Sequence, residues 1–170
     1  MVFIGSSGTG KTTAARIMAG FLYKYGFIKE NKCLETDGNF LKASTAADTA
    51  AKAEMVLREA QGVVLFIDEA YALAMDASGE AATATLMKRM EDDRGKVVVI
   101  LAGYTDEMAK LISSNPGFAS RFRDYIEFPD YTDQELCEIF QLMAGRKGVC
   151  LSASDIPAKP NQGVLRGFGI

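Results

Sequence analysis

The stretch Gly5–Thr12, GSSGTGKT, decides the predicted fold. It fits the pattern G-x-x-x-x-G-K-[ST], it follows the short apolar run Met1–Ile4, and it opens the helix-period segment Lys11–Tyr25. Glycines let the backbone curl so that successive N–H groups point at phosphate oxygens, and the helix that follows directs its positive end to the same place. We therefore predict a phosphate-binding loop, which consists of Gly5, Ser6, Ser7, Gly8, Thr9, Gly10, Lys11, Thr12 and Thr13.

Two side chains of this loop have specific predicted roles. Lys11 is expected to reach the β- and γ-phosphates of a nucleotide, and the Thr12 hydroxyl is expected to ligate Mg²⁺. The alternative is a glycine-rich turn that carries a lysine by chance. The strand before the loop and the strong helix after it favour the phosphate loop, because the motif requires both.

An acidic pair forms the second candidate cluster. The sequence VVLFIDEA places Asp68 and Glu69 directly after the continuous apolar run Val63–Ile67, which is typical of a strand buried on both faces. Ligands bind at that edge of a parallel sheet. Asp68 is expected to hold Mg²⁺, directly or through water, and Glu69 is expected to polarise the water that attacks the γ-phosphate. The alternative is an acidic N-cap for a following helix.

Apolar strand-like runs alternate with helix-period segments, which predicts an α/β fold with a parallel sheet and helices on both sides. The predicted strands are Met1–Ile4, Cys33–Thr36, Val63–Ile67, Val97–Leu101 and Tyr125–Phe128. The predicted helices are Lys11–Tyr25, Ala46–Gln61, Glu80–Asp92 and Thr105–Ser113, the last with Thr105 as its N-cap. The first helix has one predicted apolar face, made of Ala14, Ala15, Ile17, Met18, Phe21, Leu22 and Tyr25.

The pattern changes after Pro129. Thr132 and Glu135 predict a capping box that opens a further helix, which we expect to run to about Ala144 and to start a helical appendage. Residues 151–170 show little periodicity, and we expect a loop or poorly ordered chain there.

Composition excludes several classes of protein. The 170 residues carry a formal net charge of −3, with a sequence pI of about 5.1, which argues against a nucleic-acid-binding surface. The odd number of cysteines, Cys33, Cys137 and Cys150, indicates reduced cytosolic thiols rather than a disulfide framework or a zinc site. No apolar run approaches the roughly 20 residues of a membrane span. The start of the chain lacks the features of a signal peptide, so we expect a cytoplasmic protein.

Four further stretches carry a family resemblance: GVVLFIDEAYAL, VILAGYTDEM, SNPGFASRF and IEFPDYTDQEL. With the phosphate loop, they resemble the AAA+ ATPases and, among these, the stage V sporulation protein K group, which includes the red-type Rubisco activase CbbX. The resemblance runs from Met1 to about Gly148. It implies a P-loop NTPase αβα sandwich with a five-stranded parallel sheet, which we assign to 1–129, and a truncated helical lid with an irregular tail over 130–170.

The resemblance also implies a mode of action. Such proteins bind ATP with Mg²⁺ between neighbouring subunits of a homo-oligomeric ring, usually a hexamer, and use hydrolysis to remodel a client protein. Tyr104 matches the sensor 1 position, where a polar residue positions water; its hydroxyl serving that role and its ring serving in packing are equal alternatives. Arg121 matches the arginine finger, which acts on the γ-phosphate of a neighbour.

The residues around Arg121 agree with this assignment. An arginine fixed after a turn, away from its own phosphate loop, is placed to deliver charge to another subunit. The alternative for Arg121 is a surface salt bridge, for instance with Asp124 or Asp130. For Arg123 a salt bridge is the favoured interpretation.

The sequence departs from the family pattern at the pore loop. Relatives carry an aromatic residue there, whereas this chain has STAAD over Ser44–Asp48, with Thr45 at the tyrosine position. Phe40, a few residues earlier, is assigned to the core. The sensor 2 arginine stays unassigned, because Arg166 stands in the wrong context. A nucleotide-gated scaffold or regulatory subunit that does not thread polypeptide is therefore the alternative function, and a small-molecule P-loop kinase is a weaker third.

Overall fold

A computed structural model describes residues 1–146. The chain divides into two compact units, Met1–Phe128 and Pro129–Ile170. The strands of the first unit are β1 (Val2–Gly5), β2 (Cys33–Asp37), β3 (Val64–Asp68), β4 (Val98–Gly103) and β5 (Tyr125–Phe128). Its α-helices are α1 (Lys11–Lys24), α2 (Ala46–Glu59), α3 (Ala77–Asp92), α4 (Thr105–Ser114) and α5 (Pro116–Arg121), and a 3₁₀ helix covers Ala70–Ala74. The expectations for 151–170, including Arg166, lie outside the described residues.

The strands form one parallel sheet in the order β2-β3-β4-β1-β5. The helices pack on both of its faces. Alternate residues of β3 point to opposite sides, so Leu65 and Ile67 join a core cluster with α2 to α5, whereas Val64 and Phe66 join a second cluster with α1. The predicted αβα sandwich with a five-stranded parallel sheet is therefore confirmed.

The buried face of α1 differs from the prediction. Ala15 and Ala19 are buried, but Ile17, Phe21 and Tyr25 are 57%, 55% and 69% exposed. Ile17 follows Ala15 by two residues, which is about 200° around a helix of 3.6 residues per turn. The small alanines face the sheet and let the helix approach it closely. Ile17, Phe21 and Tyr25 therefore form a stripe on the solvent side, whereas Met18 and Leu22 of the predicted face are partly buried and pack against the core.

Two helix boundaries also differ from the prediction. Helix α3 begins at Ala77, because Asp76 caps it by accepting a hydrogen bond from the Gly79 amide at 2.8 Å. Thr105 is the first residue of α4 rather than its N-cap, which is Tyr104.

The predicted turn before Arg121 is a short helix, α5. Asn115 caps it and accepts a hydrogen bond from the Gly117 amide at 2.7 Å. Pro116 occupies the first turn of this helix, where its missing N–H costs nothing.

Phe40 was assigned to the core from the sequence, and this assignment is wrong. The side chain is 50% exposed, and the Lys52 ammonium lies 3.9 Å from the centre of its ring. A cation–π contact of this kind holds an aromatic ring at a surface without burying it.

The described part of the second unit is α6 (Asp133–Arg146). The predicted capping box is present: the Thr132 amide donates to Glu135 Oε2 at 2.8 Å, and the Glu135 amide donates to Thr132 Oγ1 at 3.3 Å. The first of these bonds is the main reason that the pKa of Glu135 is lowered. Cys33 is a free thiol. Within 1–146, no helix is long and apolar enough to cross a membrane.

Phe118 is the buried anchor of α5. It is fully buried, and its ring centre lies 5.8 Å from that of Phe122. We expect Phe118→Ala to lower the free energy of unfolding by about 3–5 kcal/mol, because it leaves a cavity in the core. Phe40→Ala is the matched control and should cost less than about 1 kcal/mol, the contribution of an exposed cation–π contact. Urea unfolding followed by far-UV circular dichroism measures both, and equal losses would contradict the packing described here.

Candidate functional site

The phosphate loop connects β1 to α1, and its glycines are required by geometry. Gly5 has a φ of +147°, and a Cβ placed on it would overlap the Phe128 carbonyl oxygen of β5. Gly10 has a φ of +92° and is the N-cap of α1. Both conformations are open to glycine and strained for other residues. The loop therefore has the curled backbone that a phosphate cradle needs.

The amino end of α1 is left electrically positive. Gly10 has no side chain that could accept hydrogen bonds from the first N–H groups of the helix. The first turn of α1 contains no acidic residue. By contrast, α2 and α3 have side-chain caps from Thr45 and Asp76 and an acid in the first turn. No side chain therefore caps this end of α1, and an anion bound in the loop would be stabilised by the first N–H groups and by the helix dipole.

Lys11 is held inside the loop. Its side chain is buried, and Nζ donates to the carbonyl oxygens of Gly5 at 2.9 Å and Ser6 at 2.7 Å. Thr9 Oγ1 also donates to the Ser6 carbonyl at 2.8 Å. These bonds keep the loop curled around the ammonium group. Ser6, Ser7 and Gly8 remain exposed, and so does Thr13 at the start of α1.

The acidic pair occupies the end of β3. Asp68 is the last residue of the strand, and its Oδ1 accepts a hydrogen bond from the Glu69 amide at 2.9 Å. Glu69 has a φ of +46°, the left-handed region that costs a non-glycine residue about 1–3 kcal/mol. Its side chain is exposed and makes no capping bond to the 3₁₀ helix that follows. The pair is therefore not explained as a helix cap.

Gly38 supports this strained backbone. Its amide donates to the Asp68 carbonyl at 2.9 Å, and a Cβ added to it would lie 2.6 Å from the Glu69 carbonyl oxygen. The loop after β2 thus packs directly on the acidic pair. This contact could not be predicted from the sequence, since Gly38 lies far from Asp68 and Glu69 along the chain.

Strand register brings the predicted residues to one edge of the sheet. Leu101 of β4 is level with both Ile67 of β3 and Val2 of β1. Asp68, one residue further, lies two strands from β1, so its backbone is roughly 10 Å from that strand at a spacing of about 4.8 Å per strand. This separation leaves room for phosphates and a metal ion between them.

Tyr104 lies at the same edge. It follows Gly103, which pairs with Ile4 just before the phosphate loop. Its ring centre is 6.0 Å from that of Tyr71, a residue that the sequence analysis missed. Burial raises the pKa of Tyr71, and the charge of Glu69 adds to the shift, so this phenol stays protonated at neutral pH. The ring contact supports the packing alternative for Tyr104, while its hydroxyl role stays a prediction.

Arg121 does not join this cluster. β5 pairs with β1 from Tyr125 opposite Val2 to Phe128 opposite Gly5, and the Val2 amide donates to the Asp124 carbonyl at 2.8 Å. Arg121 comes just before this point, at the amino end of the strands. The phosphate loop leaves from the carboxyl end.

The partner of Arg121 is Glu91 of α3. Arg121 Nη2 lies 2.9 Å from Glu91 Oε2. The salt bridge that was the alternative for Arg121 is present, but its partner is Glu91 rather than Asp124 or Asp130. The end of α3 brings the Glu91 carboxylate to the guanidinium, whereas the two aspartates that follow Arg121 in sequence do not pair with it. Arg123 Nε donates to the Ser120 carbonyl at 3.1 Å.

The residues at the carboxyl edge fit Mg²⁺ and a nucleotide. Thr12 and Asp68 are both half-buried and supply the oxygen ligands that Mg²⁺ prefers. Across residues 1–146 there is no group of three or more His, Cys, Asp or Glu side chains that could hold a metal ion. Mg²⁺ is commonly bound by one or two protein groups together with phosphates and water, which this pair can provide. The fold and the loop together define a P-loop nucleotide-binding domain.

Comparison with known families places this domain more closely. The model of the ATPase family associated with various cellular activities (AAA) matches residues 1–130. The chain belongs to this family.

Curated relatives agree with the family. The chain is 46% identical over 143 residues to protein CbbX of Cereibacter sphaeroides, covering 82% of this chain and 46% of that protein. It is 44% identical over 147 residues to the chloroplastic ribulose bisphosphate carboxylase/oxygenase activase of Cyanidioschyzon merolae, covering 84% and 50%. It is 42% identical over 159 residues to the ESX-1 secretion system protein EccA1 of Mycobacterium tuberculosis, covering 90% and 28%. The chain spans half or less of these proteins, and the resemblance to the CbbX group is confirmed.

Solved structures agree on the fold. A RuvB structure from Thermotoga maritima matches with a TM-score of 0.62 and 26% identity, over 87% of this chain and 43% of that one. A DNA replication initiation factor matches with a TM-score of 0.65 over 98% of this chain and 52% of that one. Its identity of 16% supports the fold alone.

Lys11 provides the first test of the site. We expect Lys11→Met to weaken nucleotide binding by about tenfold to 100-fold, because a charge-assisted hydrogen bond contributes about 1.5–3 kcal/mol. Lys24→Met, an exposed change at the other end of α1, is the control and should leave the affinity unaltered. Titration with a fluorescent ATP analogue measures both. Equal affinities of Lys11→Met and the unmodified chain would refute the assignment of the loop.

Proposed function

We propose that this domain binds and hydrolyses ATP with Mg²⁺ at interfaces between copies of the chain. One observation carries the proposal: the phosphate loop and Arg121 lie at opposite ends of the same strands. β1 and β5 pair from Val2 opposite Tyr125 to Gly5 opposite Phe128, roughly 10 Å of strand, and Arg121 lies before that stretch while the loop follows it. Arg121 therefore serves the γ-phosphate of a neighbouring copy.

Each residue of the carboxyl edge has a distinct task in this proposal. The loop amides and Lys11 bind the β- and γ-phosphates and orient them. Thr12 and Asp68 hold Mg²⁺, which when bound neutralises charge on the phosphates. Glu69 accepts a proton from the attacking water, and its exposed carboxylate faces solvent where that water arrives. Tyr104, whose ring packs on Tyr71, offers its hydroxyl to position the water.

The assembly follows from a site divided between two copies. A contact in which Arg121 of one copy meets the phosphate loop of the next is heterologous, and such contacts close into rings when the rotation allows. We expect a ring, most simply a hexamer, located in the cytoplasm, as the odd number of cysteines without paired motifs indicates. The similar proteins named for carboxylase activation and for a secretion system support a protein client that the ring remodels.

A mixing experiment tests the divided site. Glu69→Gln and Arg121→Ala should each hydrolyse ATP very slowly alone. In an equal mixture, about a quarter of the interfaces join an intact Glu69 to an intact Arg121, since a heterologous contact takes one residue from each copy. We therefore expect the mixture to recover about a quarter of the unmixed wild-type rate, measured as phosphate release. A mixture as inactive as its two components would place both residues in one copy and overturn the proposal.

A second function is favoured by the segment Ser44–Asp48, whose residues Ala46 to Asp48 form the first turn of α2. The Thr45 hydroxyl is already used within α2, because Oγ1 accepts a hydrogen bond from the Asp48 amide at 3.1 Å and donates one to Asp48 Oδ2 at 2.7 Å. It therefore does not serve to hold a polypeptide. The residues of this segment are exposed and carry no aromatic ring. A nucleotide-gated scaffold, which binds ATP and assembles without threading a polypeptide, needs no grip at this place.

An unfolded polypeptide distinguishes the scaffold from a threading motor. If the chain is a scaffold, fluorescently labelled casein should not stimulate ATP hydrolysis by the wild type. Thr45→Tyr should then gain at least about twofold stimulation, because an aromatic ring adds apolar contact area for the polypeptide. Thr45→Ser keeps the helix cap and is the control. Stimulation of the wild type by casein would exclude the scaffold and favour threading.

A further inference from the structure

We propose that Glu91 is a positioning residue that holds Arg121 against its own subunit until a neighbour's phosphate replaces it. The proposal rests on the function proposed above and adds a regulatory contact to it. Glu91 competes with the γ-phosphate for one guanidinium group. Assembly around bound ATP therefore requires the exchange of one anionic partner for another.

The contacts of Arg121 describe a retracted side chain. Nη2 lies 2.9 Å from Glu91 Oε2, and Nη1 donates to the Gly117 carbonyl and to Ser120 Oγ, each at 3.3 Å. Gly117 precedes Arg121 by one helical turn, so the guanidinium lies back along α5. The side chain is only 28% exposed. An arginine that contacts another subunit must leave this position.

Glu91 is poorly stabilised by its own helix. It lies in the last turn of α3, where the helix dipole disfavours a carboxylate. Two arginines offset this cost: Arg121 and Arg94, whose Nη2 lies 3.2 Å from Glu91 Oε1. The carboxylate is 52% exposed, and solvent can replace either partner. These properties suit a contact that forms and breaks.

A neighbouring ion pair, which is buried, is more costly to break than the pair between Glu91 and Arg121. Arg89 Nη2 lies 2.8 Å from Asp93 Oδ2, and Arg89 also pairs with Glu54 of α2. Asp93 is buried, so breaking that network would leave an unpaired charge away from water. The pair between Glu91 and Arg121 has no such penalty. The end of α3 thus carries one structural network and one exchangeable pair.

The strengths of the two partners set the direction of the exchange. Exposed ion pairs shift equilibria by about twofold to fivefold. The terminal phosphate of ATP carries more negative charge than a carboxylate and accepts two parallel hydrogen bonds from a guanidinium. Arg121 therefore leaves Glu91 when a neighbour presents ATP, and it returns when that phosphate is lost.

Arg94 provides an opposing control. It shares the carboxylate with Arg121, so Arg94→Gln leaves Glu91 to Arg121 alone and strengthens the retracted state. Glu91→Gln keeps the shape of the side chain and removes its charge, which weakens that state. Both positions are exposed, and neither change creates a cavity. The two substitutions should act in opposite directions.

The test measures ATP hydrolysis against protein concentration. We expect Glu91→Gln to lower the protein concentration at half-maximal rate by about twofold to fivefold, with the maximal rate at saturating protein within about twofold. Arg94→Gln should raise that concentration by up to about twofold. The double variant should match Glu91→Gln, because Arg94 acts only through Glu91. The differences should shrink at about 1 M salt, where the Debye length is about 3 Å.

Three outcomes overturn this inference, and a fourth concerns the proposed function on which it rests. An unchanged half-maximal concentration in Glu91→Gln, or a shift of Arg94→Gln in the same direction as Glu91→Gln, would show that Glu91 does not restrain Arg121. A lower maximal rate of Glu91→Gln at saturating protein would show that the pair aims Arg121 productively instead. Arg121→Ala distinguishes failure of the Glu91 inference from failure of the proposed function. If this variant keeps the wild-type rate at all protein concentrations, the divided active site itself is wrong.

Discussion

Parallel hydrogen bonding of β1 to β4 on one side and β5 on the other is the constraint on which the rest of the structure depends. Because all these strands run in one direction, every segment that leaves a carboxyl end meets at one edge, and every segment that enters an amino end meets at the other. The phosphate loop, Asp68 and Tyr104 belong to the first edge. Arg121 and Glu91 belong to the second. The same register that brings the phosphate loop, Asp68 and Tyr104 to one edge thus keeps Arg121 away from them.

Electrostatics reinforce this division. Most helices of the first unit begin with a side-chain cap or an acid in the first turn, which neutralises their positive ends. Helix α1 has neither, so an unneutralised positive end remains beside Lys11. Opposite it stand Asp68 and the strained Glu69, whose backbone is held by the close contact with Gly38. A bound triphosphate and Mg²⁺ would satisfy both groups at once.

Features that depend on residues adjacent in the chain could be predicted from the sequence. The phosphate loop and the acidic pair could be read because each motif needs residues adjacent in the chain and adjoins a strand of clear composition. Glu91 could not be read as the partner of Arg121, since 30 residues separate them and only the packing of α5 on the end of α3 brings them together. The face of α1 was misjudged because large apolar residues suggested burial, whereas the close approach to the sheet requires alanines. The burial of Phe40 was misjudged for a similar reason. Its hydrophobicity suggested burial, and the sequence does not indicate that Lys52 of α2 contacts the ring at the surface.

The hydrogen bonds of Lys11 to the carbonyls of Gly5 and Ser6 have a kinetic consequence. They hold the loop in its curled conformation, so part of the conformational entropy of ordering it is lost during folding rather than at the moment of binding. When a nucleotide binds, phosphate oxygens would replace the Gly5 and Ser6 carbonyls as acceptors of the Lys11 ammonium group, which would stay in place. Nucleotide binding therefore loses less conformational entropy than it would if the loop had to fold around the phosphates.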